Sequence, residues 1–447
     1  MSASSVAHRA VPRERARGRW WLPAVLGLVF VYGMVIWGYQ ISTGLHVTDM
    51  RNVQVWGLYI AMFMLFVGLS AGGLIVASAG TIFRVERLHS LSRLAIWTSF
   101  ASIVLAGLFI VPDLGHPERI LNLFAHPIWH SPMVWDITVI FLYGAMSLVY
   151  LWLHSREDLA RRGSRWAFGM TVSDEAHRRN ERAITVFAYF ALPLAIAVHS
   201  ITAWIIGLQR AHADWFSTVM APLFVASALM SGLGLLILVT LALRRTGYLR
   251  VPDSTISWLG GLLATFVAVD LFFTLSQMLT FRWARQPDQL TAAEVLLGGR
   301  YSWTFWAEVV LSVVALGMMI APSVRRRTGM VGVASGLSIL AILMVRLSLI
   351  LGGFNEPLVN WAPGVALGTP PGATATGIPN ASPFDTIATY NPTWVEYSIS
   401  VGFLALWGLI MWAGVRWLPL REPAGEQVTL PTQHAATVPA PAPQEHR

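Results

Sequence analysis

The chain of 447 residues contains no cysteine and no lysine, and only 12% of it is charged. Without cysteine there is no disulfide, no thiolate-held iron–sulfur cluster, no cysteine zinc site and no covalently attached haem. Any cysteine-bound electron-transfer centre that works with this chain therefore belongs to a partner. An average soluble domain is roughly 25% charged. The shortfall here, beside 55% hydrophobic residues and a mean hydropathy of +0.58, argues against a water-soluble globule.

What the chain has in abundance is apolar runs of about 20 residues, the length that crosses a bilayer. They fall near 20–40, 55–83, 94–112, 133–153, 183–207, 216–243, 256–281, 302–321, 331–351 and 395–417. The expectation is an all-α, polytopic membrane protein with ten transmembrane helices. The first run is too long for the core of a cleavable signal and no small-residue cleavage site follows it, so it reads as a retained helix.

Every one of the 31 cations is arginine, and their placement is lopsided. Twenty-four lie in alternate segments: the N-terminus, the stretches after the second, fourth, sixth and eighth runs, and the C-terminus. Six occupy the opposite segments, and Arg346 lies in the middle of a run. By the positive-inside rule both termini are cytoplasmic and the odd-numbered loops face outward. Membrane topology thus accounts for the net charge of +8. It calls for contact with lipid and for no nucleic acid.

The organisation follows. Residues 1–19 form a basic cytoplasmic N-terminus, 20–54 the first helix with its outer loop, and 395–417 the tenth helix. Residues 418–447, rich in Pro, Ala and Gln, read as a disordered cytoplasmic tail. The 352–394 loop is long, outward-facing and free of arginine; at that length it is a lid, a docking surface or a linker. A weak internal repeat relates the second run, with Leu65-Phe66-Val67 then Ser70, Gly72 and Gly73, to the sixth, with Leu223-Phe224-Val225 then Ser231, Gly232 and Gly234. Trp135-Asp136 opens the fourth run much as Trp306 and Glu308 open the eighth. Two parallel four-helix bundles, 55–207 and 216–351, flanked by the first and tenth helices, are expected on this basis. Small residues also recur in membrane helices simply because they let backbones approach.

Ionisable residues within the apolar slab are expensive unless paired or hydrated, so they mark function. Here they are Asp136, His199, Asp270, Glu308, Arg346 and Glu396, with Asp113, His116 and Arg119 at the outer end of the third run. Placed by helical rise, all but Asp270 gather toward the outer face. A solute carrier would scatter such groups along a central path.

The set suits a membrane-dissolved quinone, which needs an apolar slot, a ring-stacking wall, a hydrogen-bond partner at each carbonyl and a proton-exchanging group. His199 fits the last requirement, since imidazole titrates nearest neutrality; Asp136 would orient it or take the proton onward. Tyr59, Trp135 and Trp204 are candidates for wall and hydroxyl. Each has a structural alternative: an interhelical histidine, an interfacial carboxylate and aromatic-belt residues. Glu308 and Arg346 are expected to pair as a buried salt bridge or to mark a second site. With Asp270 and Glu396 they form a candidate proton pathway. A bis-histidine haem needs two imidazoles facing each other in the slab, and only His199 is deep in a run.

Pro112-Asp113-Leu114-Gly115-His116-Pro117-Glu118-Arg119, with Ser131-Pro132-Met133-Val134-Trp135-Asp136, resembles the corresponding region of the NrfD/polysulfide-reductase (PsrC-like) membrane-subunit family. His199-Ser200, Trp215, Pro222, Phe224, Ser227-Ala228 and Ser231-Gly232 extend the resemblance. The ten-helix length, Arg346 to Gly353 and Pro392-Thr393-Trp394-Val395-Glu396 resemble its longer branch, with hydrogenase, quinone-reductase and alternative complex III subunits. The likeness covers most of 55–417. His116 stands where the family often has arginine, and Asp113 where some alternative complex III relatives have histidine.

The resemblance implies a subunit that binds menaquinone or ubiquinone, holds no haem or iron–sulfur cluster of its own, and sits in the bacterial inner membrane. Its implied partners are an extracytoplasmic ferredoxin-like iron–sulfur protein and a molybdopterin, hydrogenase or multihaem catalytic subunit. Asp113 and Asp136 match positions tied to the quinone pocket or its proton exit, and His199 matches the histidine of the fifth helix. The expected function is electron exchange between the quinone pool and that partner, in either direction. A secondary transporter or proton carrier, and a purely structural anchor, are the alternatives.

Overall fold

A computed structural model describes residues 21–52, 54–283, 287–354 and 389–420. The basic N-terminus, Arg285, most of the 352–394 loop and nearly all of the C-terminal tail lie outside the described residues. Ten described helices are long and apolar enough to cross a membrane. They are α1 (Trp21–Thr43), α2 (Leu58–Ile82), α3 (Ser92–Asp113), α4 (Pro132–Arg161), α5 (Asp174–Gly207), α6 (Met220–Arg245), α7 (Asp253–Trp283), α8 (Ser302–Ile320), α9 (Thr328–Gly353) and α10 (Trp394–Trp417). Among the described residues all regular structure is helical, and the chain is a multi-pass membrane protein.

Two helices outrun their apolar cores. Hydropathy marks only the part of α4 and α5 that needs lipid, whereas the helices continue into water to Arg161 and from Asp174. The Ser173 hydroxyl accepts the Ala176 N–H at 3.2 Å, and Asp174 and Glu175 sit in the first turn, where the helix dipole favours negative charge. At the end of α4, Arg161 donates to Glu157 one turn back at 2.7 Å.

Helix α2 is the hub, buried along almost its whole length between α3, α5, α6 and α9. Contacts run in one ring through α2, α3, α4 and α5 and in another through α6, α7, α8 and α9. The rings meet where α2 crosses α6. Gly72 and Gly232 face each other there with no side chain between: a Cβ on either would overlap the other's backbone. Helix α1 leaves most of its surface outward and fastens to α10 through a second such crossing, Gly33 on Gly402.

At the arginine-rich end, Arg93 of α3 is ion-paired with Asp158 of α4 and also donates to the Pro419 carbonyl at 3.1 Å, which ties down the chain after α10. The opposite, arginine-poor end is closed by loops. His212 donates from Nδ1 to the Gly353 carbonyl at 2.7 Å and stacks on Trp215, which in turn packs against Trp56 and Phe354. Burial holds the His212 imidazole below its usual range, only partly offset by the bond to Gly353.

Candidate functional site

One cavity of about 320 Å³ opens among α2, α3, α4 and α5 at the arginine-poor end. Its wall is apolar, supplied by Trp56, Ile60, Phe63 and Met64 around α2, Ile110 of α3, Met133 and Ile137 of α4, and Ile205 and Ile206 of α5. Into this wall are set two carboxylates, Asp113 and Asp136, and one hydroxyl, Thr202, with His116 and Arg119 beside them. The volume lies at the lower end of small-molecule sites, which run from about 300 Å³ upward. It admits a substituted ring with the start of a tail.

Helix α4 positions Asp136. Pro132 at its first turn fixes the chain entering the helix, and Asp136 follows one turn later, 2% exposed. Its Oδ1 lies 2.5 Å from the Thr202 hydroxyl of α5, which also lies 2.9 Å from the Val198 carbonyl. That hydroxyl has one proton and two neighbours able to accept it. Donating to Asp136 it stabilises the carboxylate; donating to Val198 it is free to accept from the carboxylic acid. The pair accommodates either protonation state without moving a helix.

Asp113 ends α3. Pro112 before it gives its carbonyl to Gln40 Nε2 at 2.7 Å, while Asp113 Oδ1 is buried without a hydrogen-bond partner. A buried, unpartnered carboxylate oxygen in a cavity wall is the feature expected of a site that receives a donor from a ligand. At the mouth, His116 Nδ1 and Glu118 Oε1 are 2.9 Å apart and exposed. The Glu118 backbone N–H and His116 hold that carboxyl below its usual range.

Four of the seven quinone-site candidates read from sequence, Asp113, Asp136, His116 and Arg119, therefore share this cavity. The other three do not line it. Tyr59 is fully buried and donates to Gln40 Oε1 at 2.7 Å, bracing α1 against α2. Trp135 turns its indole N–H to the Trp129 carbonyl at 2.5 Å. His199 lies three residues before Thr202, one turn deeper than the cavity, with Nε2 buried and unpartnered. Its electrostatic neighbour is Arg346. Asp136 is bonded by Thr202, a residue sequence reasoning missed, and the aromatic rings in the cavity wall are those of Trp56 and Phe63; Tyr59, Trp135 and Trp204 do not line it.

The second polar group is also built differently from expectation. Arg346 of α9 does not bond Glu308: its Nη2 donates to the Ser227 hydroxyl of α6 and its guanidinium sits 3.9 Å over the Phe224 ring. Nε and Nη1 are left buried and unpartnered. Glu308 instead accepts from Thr274 of α7 at 3.1 Å, and both Asp270 oxygens are buried without partners. Asp270, Glu308, Arg346 and His199 nonetheless stand within electrostatic reach of one another through Arg346. The cavity at Glu308 measures about 50 Å³, far less than the first, and has space for a few waters.

Glu396 does not join this group. It closes a capping box at the start of α10: Oε2 accepts from the Thr393 N–H at 2.9 Å and from the Asp49 N–H at 3.2 Å. Oε1 accepts from the Tyr390 hydroxyl, which itself accepts the Leu58 N–H at 2.7 Å. The carboxylate joins the starts of α2 and α10, and both of its oxygens are engaged.

Comparison with known proteins finds membrane subunits among the chain's relatives. A protein from Halobacterium salinarum, provisionally named as a membrane subunit of dimethyl sulfoxide reductase, is 40% identical over 91% of this chain and 92% of its own length. A selenate reductase subunit of Mesobacillus selenatarsenatis is 25% identical over 89% of this chain and 93% of its own. The integral membrane subunit of menaquinone reductase from Nitratidesulfovibrio vulgaris is 23% identical over 89% and 91%. The family model described as polysulphide reductase, NrfD, matches residues 46–357, a stretch that contains the cavity and both of its carboxylates, and the chain belongs to that family.

Proposed function

We propose that this chain is the quinone- or quinol-binding membrane subunit of a multi-subunit oxidoreductase and that the 320 Å³ cavity is its substrate site. The observation that carries the reading is the presence of two carboxyl side chains, Asp113 and the Thr202-bonded Asp136, in the otherwise apolar wall of one cavity. A quinone has two ring oxygens, hydroxyls when reduced, with an apolar ring and tail between them. Asp113 and Asp136 offer a partner to each oxygen. The relatives named as reductase subunits, one of them acting on menaquinone, support the same class of substrate.

In this reading Asp136 holds the proton exchanged with one ring oxygen, and Thr202 stabilises it with or without that proton. Asp113 receives the second and, with His116 and Arg119 at the mouth, passes it toward the arginine-poor face. The apolar wall excludes bulk water, so protons move only through these groups. Electrons pass one at a time to an iron–sulfur partner docked on that face, which hands them to a molybdopterin, hydrogenase or multihaem subunit. The arginine-rich face and both termini are cytoplasmic by the positive-inside rule. Asp270, Glu308 and Arg346, with His199 beside them, serve as a proton-handling group in the second ring of helices; Glu396 is reassigned from that pathway to the cap of α10.

The purified complex is expected to bind a short-chain quinone with quenching of tryptophan fluorescence, Trp56 lying in the wall. Ile206→Trp, which fills the slot, weakens binding by at least tenfold while leaving the thermal midpoint in detergent within a few degrees. Undiminished binding in this variant would reject the cavity as the site.

A further inference from the structure

The connection from α4 to α5 at the arginine-rich end does more than join two helices. The apolar run of α4 closes at Leu153, with Trp152 in its last turn, and the helix continues to Arg161. From Trp152 to Arg161 the helix rises about 14 Å. A loop crossing directly from there to Asp174 would lie wholly in water. This one turns back. Ser164 Oγ accepts the Trp166 N–H at 3.3 Å and starts a single turn, Arg165–Ala167. The Trp152 indole N–H donates to the Trp166 carbonyl at 2.9 Å, and Arg156 Nε donates to the Ala167 carbonyl at 3.2 Å. The Phe168 ring stands edge-on to Trp152, centroids 5.6 Å apart. These contacts hold Trp166 and Phe168 at the height of Trp152, where hydrocarbon gives way to headgroups and tryptophan settles.

Trp166 and Phe168 nevertheless point outward, 58% and 66% exposed, with Val172 beyond them at 59%. Phe168 also has a φ of 48°, in the left-handed region that a bulky residue adopts only at a cost. Gly169 follows at φ 70°, and glycine is the residue that takes such backbone freely. A strained backbone that presents a phenyl ring to water has no offsetting gain. The same ring set among glycerol and upper acyl carbons buries its surface.

Charge at this place is unbalanced. The Arg156 guanidinium lies over the Trp152 ring at 5.0 Å and that of Arg165 over Trp166 at 5.9 Å. Neither forms an ion pair among the described residues, because the two acids nearest in the chain are engaged elsewhere. Glu157 meets Arg161 at 2.7 Å and His177 at 2.8 Å, and Asp158 is paired with Arg93. A guanidinium offers its donors in a planar fork that matches phosphate oxygens.

We infer that this turn is a binding site for an anionic phospholipid. Arg156 and Arg165 take the headgroup phosphate, and Trp166 and Phe168 sit in the glycerol and acyl layer beneath it. The ligand class follows from the two features together. A free phosphate ion would use the arginines but not the exposed rings; a zwitterionic lipid would use the rings but brings a cation of its own to two unpaired guanidinium groups. The lipid fastens together the ends of α4 and α5 opposite to those that carry Asp136 and Thr202. The site stands whatever molecule the cavity holds.

In the test, purified complex delipidated in mild detergent is titrated with phosphatidylglycerol or phosphatidylcholine. Bound lipid is counted by native mass spectrometry and the thermal midpoint is read alongside. Wild type is expected to hold its tightest phosphatidylglycerol at least fivefold more strongly than phosphatidylcholine. Arg156→Gln combined with Arg165→Gln removes that preference and leaves phosphatidylcholine binding unchanged; Arg165→Gln alone, at an exposed residue, repeats the test if the double variant is not recovered. Phe168→Gly accepts the left-handed backbone without strain, so its midpoint in lipid-free detergent stays at or above wild type while phosphatidylglycerol binding weakens at least threefold. An intact phosphatidylglycerol preference in the arginine variants overturns the site. So does a Phe168→Gly midpoint below wild type with lipid binding kept, since the ring would then serve only to pack against Trp152. Inorganic phosphate that raises the wild-type midpoint as far as phosphatidylglycerol does at equal concentration would mark an ion site and overturn the lipid assignment.

Discussion

Asp136→Asn is expected to lower quinone-coupled turnover of the assembled complex by about 10²- to 10⁴-fold, the range spanned by loss of a positioned acid–base group. The substitution is nearly isosteric, and the amide oxygen still accepts from the Thr202 hydroxyl at the 2.5 Å contact. What it removes is the ability to gain and lose a proton beside the substrate. Quinone binding should therefore change by only a few-fold, and the loss should fall on kcat rather than on KM. Thr202→Val separates orientation from chemistry. It retains the carboxyl but leaves its Oδ1 without the hydroxyl, at a cost of about 1–3 kcal/mol for an unsatisfied buried group, so turnover falls by a smaller factor than in Asp136→Asn. Steady-state kinetics of the purified complex with a short-chain quinol measures both. Equal turnover of Asp136→Asn and wild type would remove Asp136 from the chemistry.

Gly72→Leu is expected to prevent the chain from folding. At the α2–α6 crossing a side chain on Gly72 meets the backbone of Gly232, and the same holds in reverse. Overpacking costs typically about 1–3 kcal/mol where neighbouring side chains can shift. Here the opposing atoms are main chain in the most buried helix of the molecule, so no rotamer change relieves the overlap and the helices must part. Parting them would also disturb α2 contacts with α3, α5 and α9. Gly317→Leu on α8 is the matched control, because nothing lies within 4 Å of a Cβ there. Size-exclusion chromatography in mild detergent should recover the control as a single sharp peak and the Gly72 variant at under a tenth of that yield.

The sequence carried the helices well because lipid imposes a length and a hydropathy on each, and the ten apolar runs match α1 to α10 within a few residues over their apolar parts. It was silent about the water-exposed extensions of α4 and α5 and about the short helices Ile120–Ala125 and Pro287–Gly298, since none of these needs an apolar run. Depth was legible and direction around a helix was not. Helical rise put His199 near Asp136 in height, yet the wall of the cavity is shared by Asp136 and Thr202, and His199 does not line it. The same limit applies to Tyr59, whose hydroxyl is engaged with Gln40. Thr202 is three residues past His199 on a visible helical repeat and was the one signal within reach. For Glu396 the S/T-x-x-E spacing of a capping box, Thr393 to Glu396, was legible in the sequence and went unread.

Photolabelling with an azido-quinone tests the central claim most directly. Wild-type complex is labelled under dim red light, irradiated, digested and mapped by mass spectrometry, with and without excess unlabelled quinone. The account predicts competable adducts on the segments that wall the cavity, Ile60 to Met64, Ile110 to Leu123, Met133 to Ile137 and Thr202 to Ile206. Adducts confined to the α7–α9 region around Glu308, or adducts on α2 to α5 that excess quinone does not suppress, would contradict it.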